Sequence, residues 1–213
     1  MIISHKYKYI FLKTSKTVGT SIEIALSKFC GEQDIITPIM KEDEVIRQNL
    51  GYKGPQNYLE PDRKEVRYYN HISAAEIIPR IGAKVWNSYF KFCFERNPFE
   101  RVISQYFFHC RTEPRPSIFE FIQSGAPLAL HKRGYQLYTI DNEIVVNRIC
   151  LYENLEDDLE SVRVLLNLPE PLELPLAKTS HRIDKSSYKE ILSKREQALI
   201  REMFLIEFSL FGY

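Results

Sequence analysis

Tyr7-Lys8-Tyr9-Ile10-Phe11-Leu12-Lys13-Thr14-Ser15-Lys16-Thr17-Val18-Gly19-Thr20-Ser21 passes from an aromatic and β-branched run into a loop of hydroxyls and lysines. Residues 7–12 predict a strand. Beyond the loop, Ile22, Ala25, Leu26 and Phe29 recur at i, i+3, i+4 and i+7, which predicts a helix with one buried stripe, closed near Gly31. The unit is therefore strand, polar loop, helix.

The same unit recurs. Residues 89–95 predict a second buried strand, and Asn97 is placed to cap a helix that starts with Pro98 and runs to about Cys110. Residues 144–152 predict a third strand, followed by a helical stripe of Leu155, Leu159, Val162 and Leu166 that stops before Pro169. Ser73/Glu76, Ser117/Glu120 and Ser193/Glu196 fit the capping box, so each should open a helix. Residues 41–67 are polar and hold Gly51, Gly54, Pro55 and Pro61, which reads as a loop or insertion within a single domain spanning 1–213. Alternating strands and helices predict an α/β fold. Its central sheet should be mostly parallel and flanked by helices, with the ligand site at the carboxyl ends of the strands.

Composition narrows the function. With 213 residues, 44% hydrophobic and 27% charged, the chain has ordinary globular usage and is long enough for one substantial core. Lys and Arg total 29 against 28 Asp and Glu, a net charge of +1, so there is no global basic footprint for nucleic acid and any anion site must be local. Cys30, Cys93, Cys110 and Cys150 form no C-x-x-C pair, which argues against a zinc knuckle or redox motif and for reduced thiols. No run approaches the ~18 apolar residues of a membrane span, and the first residues lack a signal-peptide pattern, so a cytoplasmic protein is expected.

Two stretches can hold anions. In the first, Lys13, Lys16 and several hydroxyls precede a helix, with no carboxylate before Glu23. A helix start offers unbonded amides and the positive end of the dipole, which suits phosphate or sulfate. The nucleoside-triphosphate loop G-x-x-x-x-G-K-[ST] would need glycines where Ile10 and Ser15 stand, and the G-x-G-x-x-G dinucleotide pattern is missing. In the second stretch, residues 92–106, a buried strand delivers Arg96 to its carboxyl end immediately before a capped helix. Arg101 and Ser104 stand three apart on that helix and share a face. A guanidinium with a hydroxyl can clamp a phosphate, although Arg96 also has Glu100 within reach.

Together, Ser15-Lys16-Thr17-Val18-Gly19-Thr20-Ser21 and the run Arg96 to Tyr106 resemble the sulfotransferases that use 3′-phosphoadenosine 5′-phosphosulfate (PAPS). The likeness is to the carbohydrate and heparan 2-O-type branch, which carries a P-K-T-G-G-T-S loop and an R-[ND]-P-x-x-R-x-x-S-x-Y motif. It extends more weakly through His71-Ile72-Ser73-Ala74-Ala75-Glu76, Tyr152-Glu153-Asn154-Leu155 and Phe211-Gly212-Tyr213, while Ser15 and Val18 depart from the branch's proline and glycine.

The resemblance implies a nucleoside-kinase-like P-loop fold. It implies that Lys16, Thr17, Val18, Gly19, Thr20 and Ser21 hold the 5′-phosphosulfate and that Arg96 and Ser104 hold the 3′-phosphate. The late basic segment with Lys178, Ser180, His181 and Arg182 would close over the nucleotide. Lys16 would stabilise charge on the leaving oxygen, and His71 would take the acceptor's proton, with Glu95 and Glu76 in reserve. PAPS is then the co-substrate, no metal is needed, and the partner is an acceptor hydroxyl on a carbohydrate. Asp157 and Asp158 read as a solvated first helical turn rather than a divalent-metal site. Two rivals stay open: a kinase-like phosphotransferase acting on a small metabolite, and a non-catalytic module that binds a nucleotide or sulfated glycan.

Overall fold

The computed structural model describes residues 1–62, 65–175 and 186–213. The chain opens with β1 (Ile2–Ser4) and turns back into β2 (Tyr9–Phe11), an antiparallel pair in which Ile3 faces Ile10. The turn is tight: Lys8 takes a positive φ of 54°, and the Asp34 carboxylate accepts from the amides of His5 and Lys6. After the loop come α1 (Gly19–Ser27) and β3 (Ile35–Ile36), which pairs antiparallel with β1. Next are α2 (Lys41–Asn49), α3 (Ala74–Ile81), α4 (Ala83–Ser88), β4 (Phe90–Glu95) and α5 (Pro98–His109). α6 (Ile118–Gln123) and α7 (Leu128–Lys132) lead to a small hairpin of β5 (Thr139–Ile140) and β6 (Glu143–Ile144), and then to β7 (Arg148–Leu151). The remaining described helices are α8 (Leu155–Leu165), α9 (Tyr188–Ile191), α10 (Lys194–Met203) and α11 (Leu205–Phe211).

The main sheet has the order β3-β1-β2-β4-β7. β2, β4 and β7 are parallel neighbours, as the strand-helix alternation predicted, with Phe11 beside Phe92 and Glu95 beside Leu151. β1 and β3 run against them, so the sheet is mixed, with its parallel strands on one side and an antiparallel pair at the other edge. These two strands are short and buried, and segments of three or two residues carry no alternation from which to read a strand.

Residue parity sorts the core. Tyr9, Phe11, Phe92 and Phe94 point to one face, where α1 and α8 cover them with Ile22, Leu26, Leu159 and Val162. Ile3, Ile10 and Cys93 point to the other face and meet Ile77, Trp86 and Tyr138. A third cluster joins α5 to α6 and α10 through Val102, Ile103, Ile122, Ile200 and Phe204. The capping boxes at Ser73, Ser117 and Ser193 all form, and Asn97 accepts from the Phe99 amide at 3.0 Å with Pro98 in the first turn.

Residues 41–67 are not simply a loop. They begin with α2, whose Glu42, Asp43 and Glu44 lie in the first turn and Arg47 in the last, as the helix dipole favours. Its buried residues are Asp43 and Arg47, which are charged, so no apolar stripe announced it. Arg47 is fully buried and reaches the Glu23 carboxylate of α1 at 3.5 Å. Likewise, Asp158 is not a solvated first-turn acid. It accepts from the Leu151 amide at 2.7 Å and from Arg148 at 2.6 Å, tying α8 to the end of β7.

Candidate active site

Because β2, β4 and β7 are parallel, their carboxyl ends meet at one edge of the sheet. The Leu12 amide bonds to Phe92 O at 2.9 Å, and the Thr14 hydroxyl bonds to Phe94 O, so the polar loop is stitched to the neighbouring strand before it turns away. There a cleft of about 580 Å³ opens. Lys16, Val18, Gly19, Thr20, Ser21, His71, Arg96 and Ser104 all line it, so residues far apart in sequence converge on one place. Thr17 is not among the lining residues: its hydroxyl is buried against that of Thr14 at 2.8 Å. Arg182, with Lys178, Ser180 and His181, lies outside the described residues. The described lining holds no carboxylate.

The loop geometry suits an anion. Lys16 and Val18 have φ of 65° and 60°, with Thr17 between them outside the positive-φ set. Alternating handedness of this kind turns successive amides toward one side, the basis of backbone anion nests. α1 starts at Val18 without a side-chain cap, has no acid in its first turn, and makes its first turn bond from Ile22 to Val18 O. Gly19 packs closely against the residues that precede the loop. A Cβ there would lie 2.9 Å from Lys13 Cγ and 3.3 Å from Thr14 O, so its bareness admits the Lys13 side chain, while Gly19 also lines the cleft. Lys13 is 2% exposed and pairs with the fully buried Glu23 carboxylate at 2.8 Å, which leaves Lys16 as the loop lysine with the more exposed side chain. The Lys16 ammonium rests 4.0 Å from the centre of the Phe108 ring.

On the opposite wall, the end of β4 presents Arg96 and the second turn of α5 presents Ser104. The Arg96 guanidinium lies 3.2 Å from Glu100 and 4.1 Å from the centre of the Tyr152 ring. Both partners leave it in the cleft, so the Glu100 pair orients Arg96 rather than removing it. Arg101 does not share the face of Ser104. It is fully buried, bonded to Glu95 at 2.5 Å and to Leu130 O at 3.0 Å.

His71 stands beside the loop at a φ of 60°, its Nδ1 2.7 Å from Lys13 O. A carbonyl only accepts, so Nδ1 carries the proton and Nε2 keeps its lone pair. Burial, reinforced by the charge of Lys13, lowers the imidazole pKa to about 3. The reserve carboxylates are committed elsewhere. Glu95 is buried against Arg101 and its pKa is raised by burial, and Glu76 closes the capping box of α3 while accepting from Tyr69. Sequence reasoning missed Asn70, Phe108, His109, Arg133 and Tyr152 as lining residues. Phe108 lies one turn beyond Ser104 and could have been found from helical spacing. Arg133 follows α7 on an exposed turn and gave no signal.

A sequence model described as the Sulfotransferase family matches residues 1–213. An uncharacterised protein from Archaeoglobus fulgidus is 36% identical over 98 residues, which covers 45% of this chain and 82% of that one. No solved structure matches. Among the described residues, no helix is long and apolar enough to cross a membrane. With a family model matched over residues 1–213, the chain belongs to the Sulfotransferase family.

Proposed function

We propose that the protein transfers the sulfuryl group of PAPS to a carbohydrate hydroxyl, within a P-loop nucleoside-kinase-like fold. The observation that carries this reading is the convergence of Lys16, His71, Arg96 and Ser104 on one cleft without a lining carboxylate among the described residues. On this reading the 5′-phosphosulfate lies over the loop and the start of α1, at residues 16–21, and the 3′-phosphate lies between Arg96 and Ser104. Thr17 contributes through its backbone, since its hydroxyl is spent on Thr14.

The acceptor oxygen attacks sulfur, the bond from sulfur to the bridging oxygen breaks, and adenosine 3′,5′-bisphosphate departs with the electron pair. Negative charge grows on the bridging oxygen. A fixed ammonium and helix-end amides stabilise it there, and Lys16 supplies the ammonium once it leaves the Phe108 ring. The acceptor proton passes to Nε2 of His71, whose tautomer is set by Lys13 O. Burial and the neighbouring cations disfavour the imidazolium. A bound polyanion opposes the cations and raises the basicity of His71 when it is needed.

Incubation with sulfur-35-labelled PAPS and a panel of mono- and oligosaccharides tests the reading. Label on a sugar hydroxyl is the expected result. Phosphoryl transfer from ATP, or tight nucleotide binding with no transfer to any acceptor, would favour the kinase-like or non-catalytic alternatives instead.

A further inference from the structure

We propose that Arg133 is a further catalytic residue, holding the non-bridging oxygens of the sulfuryl group as it moves from donor to acceptor. This rests on the proposed function and adds a residue to it. Arg133 lines the cleft, its side chain is exposed, and it has no ion pair among the described residues. Its backbone is fixed to the donor loop: the Ser15 amide donates to Arg133 O at 2.8 Å, immediately before Lys16.

The support behind it is stiff. The fully buried Arg101 donates to Leu130 O at 3.0 Å and pairs with Glu95 at 2.5 Å. Its guanidinium occupies the space beside Gly134, where a Cβ would fall 3.0 Å from Nη1 and 2.7 Å from Leu130 O. The second arginine of the Arg96–Tyr106 motif therefore places the turn that carries Arg133, although it does not itself face the cleft.

The position follows from the chemistry of the two walls. The sulfur must sit between the leaving oxygen, near Lys16, and the attacking hydroxyl, near His71. The charge of Arg133 acts on His71, and it also acts on His109, which feels Lys16. Both histidines line the same cleft as Arg133 and Lys16. A planar fork of donors suits the oxygens of a sulfuryl group, which spread outward as the sulfur passes through a planar arrangement.

The test compares two ligands that differ only in the sulfuryl group, and it needs no acceptor. Titration calorimetry measures PAPS and adenosine 3′,5′-bisphosphate on wild type, Arg133→Ala and Arg133→Lys, with thermal melts confirming the fold. Loss of a charge-assisted contact predicts PAPS binding weaker by about tenfold or more in Arg133→Ala, with the bisphosphate changed less than threefold. Arg133→Lys should restore part of the loss. Equal losses for both ligands, or no loss for either, would overturn the assignment of Arg133 while leaving the proposed function intact. Failure of wild type to bind either ligand would overturn the function itself, and this inference with it.

Discussion

Val18 offers a test in which the usual ranking of two residues should reverse. It is β-branched yet holds φ 60° and ψ 10°, the left-handed region, at the start of α1. For an L-residue that conformation costs roughly 1–2 kcal/mol, and glycine escapes it. Glycine gives back about 0.5–1 kcal/mol through the greater freedom of its unfolded chain. Replacement by alanine or by glycine both remove the isopropyl group that packs on the Phe11 and Phe92 cluster, so that loss largely cancels between them. Val18→Gly should therefore be more stable than Val18→Ala by about 0.5–1 kcal/mol, whereas in an ordinary helix the alanine variant would win by a similar amount. In a domain of this size each kcal/mol corresponds to roughly 2–4 °C in Tm. Urea denaturation, with scanning calorimetry as a second probe, would resolve it. An alanine variant as stable as the glycine variant would refute the left-handed geometry and the nest of amides inferred from it.

Four further outcomes are expected. Lys16→Ala should lose at least about a hundredfold in turnover with its melting temperature unchanged, since one preorganised donor is worth about 3 kcal/mol, while His71→Gln should abolish transfer yet keep bisphosphate binding. Acid should destabilise the fold: His71 is held at about 3 in the folded protein against 6.5, and Glu23 at about 2 against 4.5. For both groups the unfolded chain binds protons first, so stability falls as pH drops below about 6.5 and again below about 4.5; His71 alone contributes about 3 kcal/mol by pH 4, measurable from urea midpoints, and a flat profile would contradict it. Gly134→Ala should cost roughly 3 kcal/mol or more by displacing Arg101 from its buried pair with Glu95, and a melt within 1 or 2 °C of wild type would show that the turn yields easily.

The elements that could be read from sequence were those with local signatures. Asn97-Pro98 and the capping boxes state where helices begin, and the aromatic runs of β2 and β4 state where strands lie. The site was legible where a motif brought chemistry together, as in the loop and the Arg96–Ser104 wall. Residues whose role comes from distant partners were not legible. α2 is bound through Arg47 to Glu23, Lys13 is withdrawn by the same carboxylate, and Arg101 is drawn inward by Glu95. In each case a charged residue that reads as surface is buried by its counter-charge. β1 and β3 were too short to show a period, and Arg133 owes its place to a turn held by Arg101 of α5 and by the Ser15 amide.

A cleft built for a nucleotide with phosphates at both its 3′ and 5′ positions should tell such a ligand from a triphosphate. Calorimetry of wild type and Arg96→Ala with adenosine 3′,5′-bisphosphate, set against ATP with magnesium, measures this directly. The expected result is selective bisphosphate binding, at least tenfold tighter than ATP and weakened about tenfold or more by loss of the Arg96 guanidinium. A preference for ATP with magnesium, or bisphosphate binding indifferent to Arg96, would contradict it.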